Sequence, residues 1–480
     1  MKKKILVANR GEIALRVIRA IQELGYSAVA VYESPDNEGL HIRTADEAVW
    51  LGDGPRCDYL DIEKVIKAAQ KTGAEAIHPG YGFLAENPDF AKACEDNGII
   101  FIGPPASVVR SLGDKVMARK IMAEAGIPMV PGTPSLAPGE AGMNVAVEFC
   151  QKHGYPVMLK ATAGGGGRGI RQIDNEQQLQ TEIPIARAEA RAAFNNDAVF
   201  IEKLVLNPKH IEVQIMADQA GTTIHLGSRD CSIQRRNQKL IEIAPSLIPD
   251  QELVDQICRT AVKAAKAAGY VNAGTVEFLV DDDHNFYFME INTRIQVEHT
   301  VTEMVTGIDI VRTQIKLALG KKLAFAQDDV QIRGYAIEVR INAEDPQNNF
   351  MPEGGKKIAV YRSPGGHGVR LDGFAYQGFT IPEAYDSLLV KLTVHGFSWN
   401  ETVDRLRRCL NNFVIIGPKT TIPFYLRVID NQEFRRGDFN TAFLTIHDYL
   451  LEYEDVTSEC DKLARLIAEI HYRKQNSYAI

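Results

Sequence analysis

Long hydrophobic runs are missing from this sequence of 480 residues. No stretch approaches the roughly 20 consecutive apolar residues that a transmembrane helix requires. Three lysines stand near the N-terminus, but the apolar run after them is shorter than the hydrophobic region of a secretory signal. These absences predict a cytoplasmic protein that does not act at a membrane.

Paired cysteines and an excess of basic charge are missing as well. The seven cysteines are scattered and odd in number, and they form no Cys-x-x-Cys pair. This pattern predicts a reducing compartment and no structural zinc. The formal net charge of −8 argues against a nucleic-acid-binding surface over the whole molecule, although a local basic pocket for phosphates is compatible with it.

The chain begins as an α/β protein without the usual dinucleotide fingerprint. Strand Lys4–Ala8, helix Glu12–Leu24 and strand Ala28–Val31 are the parts of a predicted βαβ unit. The Gly-x-Gly-x-x-Gly pattern does not occur in it, which argues against a dinucleotide site. We therefore predict an open α/β domain at the N-terminus.

A glycine-rich run lies between Thr162 and Ile170, but it is not a Walker loop, because no Gly-Lys-Ser/Thr follows. Five glycines among eight residues permit a close approach of the backbone to a ligand. Lys160 before the run and Arg168 inside it favour a flap that covers phosphates. Glycine content alone is equally compatible with a flexible hairpin tip.

The most informative stretch is a predicted hairpin. Two apolar runs, Thr275–Val280 and Phe286–Ile291, flank a short polar turn. A loop centred between them places Glu277 directly opposite Glu290, where Cβ atoms lie roughly 5 Å apart and like charges repel. Two opposed carboxylates are suited to a divalent cation with oxygen preference, and Mg²⁺ is the natural candidate.

Polar residues continue after this hairpin at every second position. Asn292, Arg294, Gln296 and Glu298 follow Glu290, so an extended backbone is predicted to present all five side chains on one face. A solvated face of a half-exposed sheet is the alternative. The two facing acids favour a surface that binds metal and phosphate.

Five motifs in order along the chain resemble the biotin carboxylase family, within the ATP-grasp superfamily. The resemblance extends from Ile5 to about Phe443. Lys239–Ile248 is most similar to free-standing subunits of the pyruvate carboxylase type. The motifs are ILVANRGEIA near the start, HPGYGFLAEN at His78–Asn87, KATAGGGGRGI at Lys160–Ile170, RDCSIQRRNQK at Arg229–Lys239 and MEINTRIQVEHTVTE at Met289–Glu303.

The resemblance implies an α/β (α+β) fold of the ATP-grasp type. It also implies a ligase that uses ATP, Mg²⁺ or Mn²⁺ and bicarbonate to carboxylate biotin on a carrier, through carboxyphosphate. The implied bounds are 1–114 for a Rossmann-like N-terminal domain, 115–330 for the ATP-grasp domain with a lid at about 131–204, 331–446 for a C-terminal domain and 447–480 for a helical tail.

Individual residues match the family's functional positions. Glu298 matches the general base that deprotonates bicarbonate, Lys239 a cation near the γ-phosphate and Arg340 the residue that stabilises the biotin enolate. The other matches are the bicarbonate cradle of Arg294, Gln296 and Val297, the metal ligands Glu277, Glu290 and Asn292, and the nucleotide contacts Lys115, Lys160, Gly165, Gly166, Gly167, Glu202, Lys203, Leu204, His210, Gln234 and Asn237.

Two positions depart from the commoner family pattern. Asn237 stands where many relatives carry His, and we expect it to change a nucleotide contact without loss of activity. Thr300 replaces a frequent Pro.

An apolar stripe at helical spacing in Ser458–Arg473 either packs on the body of the protein or contacts a partner subunit, and we predict the partner contact.

A biotin attachment site and room for a carboxyltransferase domain are both missing. The sequence therefore predicts a subunit that works with a biotin carboxyl carrier protein or domain and a separate carboxyltransferase, and the resemblance implies a homodimer. The final acceptor stays open between pyruvate, acetyl-CoA, propionyl-CoA and 2-oxoglutarate, because the transferase selects it. The rival functions are another ATP-grasp carboxylate–amine ligase and a non-catalytic nucleotide-binding subunit.

Overall fold

The computed structural model of the chain describes residues 2–53, 57–162, 170–194, 196–236 and 238–453. Three sheets of three or more strands and their flanking helices account for most of this part of the protein. None of the helices in these ranges combines the length and the apolar composition that crossing a bilayer requires.

A five-stranded parallel sheet forms the N-terminal part, with strand order β3-β2-β1-β4-β5. Helices connect its strands, as the sequence predicts for an open α/β domain. The elements are β1 Lys4–Val7, α1 Gly11–Glu23, β2 Ser27–Glu33, α2 Leu40–Thr44, β3 Glu47–Gly52, α3 Ile62–Thr72, β4 Ala76–His78, α4 Pro88–Asp96 and β5 Ile100–Phe101.

A three-stranded antiparallel sheet with order β7-β6-β8 follows. Its apolar face shares one buried cluster with α7 and α8. The glycine-rich run between its first two strands lies largely outside the described residues. The elements are α5 Ala106–Gly113, α6 Lys115–Glu124, α7 Glu140–His153, β6 Val157–Ala161, β7 Ile170–Ile173, α8 Glu176–Phe194 and β8 Val199–Lys203.

The remaining elements build a large antiparallel sheet and its helices. They are β9 Lys209–Ala217, β10 Thr223–Arg235, β11 Gln238–Ala244, α9 Gln251–Ala267, β12 Asn272–Val280, β13 Phe286–Asn292, α10 His299–Thr306, α11 Ile310–Ala318, β14 Tyr335–Asn342, β15 Glu344–Asp345, β16 Met351–Pro352, β17 Val360–Arg362, β18 Val369–Gly373, β19 Leu388–Gly396, α12 Trp399–Asn412, β20 Val414–Ile416, α13 Ile422–Asp430, α14 Gln432–Arg436 and α15 Phe443–Ile446.

The large sheet has eight strands in the order β13-β12-β9-β10-β11-β14-β19-β18. All seven strand pairs are antiparallel. The run Arg229–Lys239 would be typical of a solvated loop if its charge were considered alone. In the structure Arg229 and the residues up to Arg235 lie in β10, and the sheet is therefore continuous from the hairpin to the C-terminal strands.

The predicted hairpin is β12 and β13, and Glu277 does lie opposite Glu290. The register shifts between Glu277 and Phe278, so that Met289 is an extra residue on β13. This β-bulge turns Met289 and Glu290 outward to the same open side, where both are exposed. The opposed acids predicted from the sequence are thus confirmed, and a bulge aligns them.

The extended backbone predicted beyond Asn292 is wrong. β13 ends at Asn292, the chain bends at Thr293 and Arg294, and Glu298 directly precedes α10. Asn292, Gln296 and Glu298 still meet in one place because the bend folds the segment back over the sheet. Their convergence is therefore a property of the turn and of their hydrogen bonds.

One face of the central strands is apolar and packs on α9. Ile211, Val213 and Ile215 alternate along β9 and share a buried cluster with Ile257 of α9. The Asp250 carboxylate caps this helix by accepting hydrogen bonds from two backbone amides of its first turn. With its apolar side covered, the sheet directs the intervening polar side chains to its opposite face.

Replacement of Ile257 tests this packing. Ile257 is fully buried, so Ile257→Ala removes apolar contacts and leaves a cavity, and we expect a loss of about 2–5 kcal/mol in the free energy of unfolding. Thermal and urea unfolding followed by circular dichroism measure it. The matched control is Ile446→Ala, at a site that is 59% exposed, where a change within about 0.5 kcal/mol is expected. Equal losses in the two variants would contradict the assignment of this core.

Candidate active site

A cleft of about 1750 Å³ lies over the polar face of the large sheet. It is lined by residues of the large sheet, of the three-stranded sheet and of segments that follow strands of the parallel sheet. Most of the site residues predicted from the sequence line it, although they come from separate parts of the chain. These are Lys160, Glu202, Lys203, Leu204, His210, Gln234, Lys239, Glu277, Glu290, Asn292, Arg294, Gln296, Val297, Glu298 and Arg340.

Five predicted nucleotide contacts are not among these lining residues. Lys115 is exposed at the start of α6, although its charge acts to lower the pKa of Glu290. Gly165, Gly166, Gly167 and Asn237 lie outside the described residues, as does the tail helix predicted at Ser458–Arg473.

The ammonium group of Lys239 lies at the centre of the site. Its Nζ donates to Glu212 Oε2 at 2.6 Å, Glu277 Oε1 at 2.9 Å and Glu298 Oε1 at 2.8 Å. Burial acts to lower the pKa of Lys239, but the three carboxylates outweigh it and raise the pKa well above the ordinary value. Lys239 is therefore a permanent cation that balances three acids.

Glu298 is buried between two cations. Its second oxygen, Oε2, accepts from Arg340 Nη2 at 3.1 Å, and its first accepts from Lys239. Burial acts to raise the pKa of Glu298, but Lys239, Arg340 and Arg229 outweigh it and hold the pKa well below the ordinary value. The carboxylate is therefore ionised, and it is a weak base as long as both cations contact it.

Glu277 is fixed by four side chains. His210 Nε2 lies 2.8 Å from Oε2, while Asn292 Nδ2 at 2.8 Å, Gln296 Nε2 at 2.7 Å and Lys239 donate to Oε1. Burial acts to raise the pKa of Glu277, but the charge of Lys239 and the hydrogen bonds from His210 and Lys239 outweigh it, so the pKa lies well below its usual range. This carboxylate is buried and ionised, and its contacts hold it in one orientation.

The orientation of His210 follows from a further contact. The Gln234 amide donates to His210 Nδ1 at 2.6 Å, which leaves Nε2 to donate to Glu277. Two residues from the predicted nucleotide site are thereby connected to a predicted metal ligand.

Glu290 differs from its partner across the hairpin, because it is exposed toward the cleft. Partial burial and the charge of Glu277 raise the pKa of Glu290. A hard divalent cation prefers carboxylate and amide oxygens, and Glu277, Glu290 and Asn292 supply such a set at one end of the hairpin. The donor chemistry therefore fits Mg²⁺ or Mn²⁺.

The polar contacts of Arg294 and Lys160 also connect distant segments. Arg294 Nε donates to Glu86 Oε2 at 2.9 Å, and Nη2 donates to Asn292 Oδ1 at 3.2 Å. Lys160 and Arg119 both form short ion pairs with Glu202, which joins β6 and α6 to β8. Cationic groups thus line the cleft at both ends.

Sequence reasoning missed the buried layer that supports these residues. Arg229 is fully buried, and its guanidinium holds acceptors on β9, on β12, in the turn after β13 and on α10. It forms a short ion pair with Glu212 and donates to Gln214 Oε1 at 2.8 Å, Thr302 Oγ1 at 2.9 Å, Thr275 Oγ1 at 3.1 Å and Gln296 Oε1 at 2.7 Å.

A signal for part of this layer was present in the sequence. His210, Glu212 and Gln214 alternate with isoleucine and valine along β9, which is the period-two pattern of a strand with one buried apolar face. Applied to β9, this pattern would have found Glu212 and Gln214. Arg229 stood inside a recognised motif, but its burial depends on contacts that are distant in sequence.

Three family models match the chain in order. They are the "Biotin carboxylase, N-terminal domain" at residues 1–109, the "Carbamoyl-phosphate synthase L chain, ATP binding domain" at residues 114–326 and the "Biotin carboxylase C-terminal domain" at residues 338–445. Together they cover most of the sequence.

Relatives that align over nearly the whole chain agree with the models. Biotin carboxylase 1 of Bacillus subtilis is 50% identical over 452 residues, which are 94% of this chain and 100% of that protein. The 2-oxoglutarate carboxylase small subunit of Hydrogenobacter thermophilus is 48% identical over 470 residues, which are 98% of this chain and 99% of the relative.

A solved structure shares the fold over nearly the whole chain. It is the biotin carboxylase domain dimer of Hydrogenobacter thermophilus 2-oxoglutarate carboxylase, in complex with MgADP, ADP and bicarbonate. The two chains are 48% identical with a TM-score of 0.87, and the alignment covers 95% of this chain and 100% of the other.

Removal of the Arg229 charge tests the buried layer. Arg229→Met leaves Glu212 without one of its two cations in a buried place, and we expect a loss of about 3–5 kcal/mol in the free energy of unfolding. Arg110→Met is the matched control, because its ion pair with Asp89 is exposed and contributes less than about 1 kcal/mol. Urea unfolding of both variants measures the difference, and a comparable small loss at Arg229 would contradict its structural role.

Proposed function

This chain belongs to the biotin carboxylase family, and we propose that it is the biotin carboxylase subunit of a multi-subunit biotin-dependent carboxylase. The reaction is ATP + bicarbonate + biotinyl-carrier → ADP + phosphate + carboxybiotinyl-carrier. The observation that carries this proposal is the contact of Glu298 with both Lys239 and Arg340 in one cleft. A base, a phosphate-binding cation and an enolate-stabilising cation thereby meet at one point.

Glu298 is proposed as the group that removes the bicarbonate proton. In the free enzyme Lys239 and Arg340 suppress its basicity by holding its pKa low. When Lys239 turns to the γ-phosphate and Arg340 to the biotin ureido oxygen, Glu298 loses both neighbouring charges and its pKa rises. The base therefore becomes strong only when the substrates that need it are bound.

Bicarbonate is proposed to lie against Arg294, Gln296 and the backbone of Val297. Arg294 is oriented by Glu86, and the Lys391 ammonium donates to the Val297 carbonyl oxygen at 2.6 Å. The turn that carries the cradle is thus held from both sides, which favours a single bound geometry.

The nucleotide is proposed to bind at the opposite end of the cleft. Lys160 and Lys115 would contact its phosphates, and the glycine-rich lid with Gly165, Gly166 and Gly167 would cover them. The adenosine contacts are Glu202, Lys203, Leu204, His210 and Gln234, with Asn237 as an additional contact. Lysines that neutralise phosphate charge favour attack by the weakly nucleophilic bicarbonate.

Glu277, Glu290 and Asn292 are the proposed ligands of Mg²⁺ or Mn²⁺. When bound, the ion neutralises phosphate charge during phosphoryl transfer. Glu277 is held in place by His210 and Gln296, so its carboxylate is already positioned opposite Glu290.

Arg340 is proposed to stabilise the enolate form of biotin after carboxyphosphate has formed and decomposed to CO₂ and phosphate. Its guanidinium forms an ion pair with Glu242 and lies 3.1 Å from Glu298. A guanidinium placed at the developing oxyanion supplies electrostatic stabilisation. A closed lid excludes water and so protects the intermediate from hydrolysis.

The partners follow from the proposed activity. We propose that the chain acts as a cytoplasmic homodimer together with a biotin carboxyl carrier protein or domain and a separate carboxyltransferase, which selects the final acceptor. We also propose the domain bounds 1–114, 115–330 and 331–446 given above, with residues 447–480 as a partner-binding tail.

Glu298→Gln tests the assignment of the base. The amide preserves the shape but cannot accept the bicarbonate proton, so biotin-stimulated ADP release should fall by at least about 100-fold. The assay is bicarbonate-dependent ATP hydrolysis by the purified chain with and without biotin, and ADP affinity serves as the control for folding. Turnover only with an amine acceptor would contradict the proposed reaction, and an active Glu298→Gln variant would contradict the role of Glu298.

Glu290→Gln tests the metal site. Removal of one carboxylate ligand should raise the Mg²⁺ concentration needed for half-maximal ATP hydrolysis by about tenfold or more, because carboxylates supply the charge that holds the ion. A Mg²⁺ titration at saturating ATP measures it. Glu344→Gln, at another acid that lines the cleft, is the control and should leave the Mg²⁺ requirement unchanged. An unaltered Mg²⁺ requirement in Glu290→Gln would remove Glu290 from the ligand set.

A further inference from the structure

Thr300 lies two residues after Glu298 and is fully buried in the first turn of α10. Its hydroxyl donates a short hydrogen bond to Glu338 Oε2. The Thr393 hydroxyl lies 2.8 Å from that of Thr300 and 3.3 Å from the same carboxylate oxygen. This position departs from the common family pattern, in which a proline supplies no hydroxyl.

Glu338 lies on β14 two residues before Arg340. Residues two apart on a strand point to the same face, so Glu338 and Arg340 are neighbours on the site side of the sheet. The Thr300–Glu338 bond therefore connects the turn that carries Glu298 to the strand that carries Arg340. Thr300, at one end of this bond, is two residues from Glu298. Glu338, at the other end, is two residues from Arg340.

The charge arrangement shows why Glu338 binds a hydroxyl at this place. Glu338 lies directly opposite Glu242 in the β11–β14 register, and both carboxyl groups are fully buried. Burial raises the pKa of Glu338 to about 8, with Lys391 opposing and Glu242 adding to the shift. The raised pKa disfavours the ionised form of Glu338 and so reduces its competition with Glu242 for the charge of Arg340.

The contacts of Arg340 also indicate that Glu242, and not Glu338, is the acid that balances its charge. Its guanidinium contacts Glu242 and Glu298, and no contact with Glu338 is found among the described residues. The remaining oxygen, Glu338 Oε1, has no hydrogen-bond partner in the same part of the chain. The threonine hydroxyls are therefore what fixes the Glu338 side chain.

We propose that Thr300 and Glu338 are positioning residues that set the placement of Glu298 relative to Arg340 for the carboxylation of biotin. The inference rests on the proposed function, because it assigns the pair to the step that uses Glu298 and Arg340 together. None of the predicted nucleotide contacts among the described residues takes part in this hydrogen bond. Loss of the bond should therefore lower the rate of the steps that use Glu298 and Arg340 and leave nucleotide binding unchanged.

Thr300→Val removes the hydroxyl at nearly constant shape, and Thr300→Ser keeps it. We expect Thr300→Val to lower kcat for biotin carboxylation about tenfold or more, since small displacements of reacting groups cost rate steeply. The KM for ATP and the affinity for ADP should stay within about twofold of wild type. Thr300→Ser should restore most of the rate.

Thr306→Val is the matched control on the same helix, because that hydroxyl donates only to the backbone oxygen of Thr302, at 2.7 Å. It should leave kcat unchanged. Thr300→Val combined with Glu338→Leu removes both partners of the bond, and we expect its loss of kcat to be smaller than the product of the two single losses. Thr300→Ala serves the same test if the valine variant does not fold.

The outcomes separate the two proposals. A wild-type chain without biotin-stimulated ATP hydrolysis overturns the proposed function and this inference with it. An active wild type with a Thr300→Val variant of equal kcat overturns the inference alone. Equal losses in Thr300→Val and Thr300→Ser, or strict multiplicativity in the double variant, also overturn it.

Discussion

The ammonium group of Lys239 is the interaction on which the site depends. It reaches carboxylates from β9, from β12 and from the turn before α10, so one cation joins three separate segments. Buried like charges repel strongly unless a cation balances them. The same contact that stabilises the acids keeps Glu298 weakly basic until Lys239 is drawn to another anion.

The large sheet arranges its charges as a row across neighbouring strands. Glu290, Glu277, Glu212 and Arg229 are successive register partners on β13, β12, β9 and β10. The row runs from an exposed acid at the sheet edge to a fully buried guanidinium in the interior. An exposed end suits a ligand that must enter and leave, while the buried end supplies a rigid support.

The sequence predicted the hairpin, the opposed acids and the α/β class because each depends on short-range periodicity. The apolar runs Thr275–Val280 and Phe286–Ile291 on either side of a polar turn predict the two strands locally, and the recognised motifs predict the ATP-grasp fold and the family. The extended backbone predicted from Asn292 to Glu298 was wrong, because polar alternation also occurs in a turn whose side chains bond to distant strands. The roles of the individual site residues stay predictions.

The sequence by itself determined the family, the fold class and a set of site residues most of which line the cleft, since these follow from local pattern and recognisable motifs. Only the tertiary structure decided which charges balance one another. Lys239 faces Glu212 across 27 positions, and Thr300 meets Glu338 across 38. Such pairings depend on strand order and register, and these are fixed by packing of the whole sheet, which no local pattern encodes.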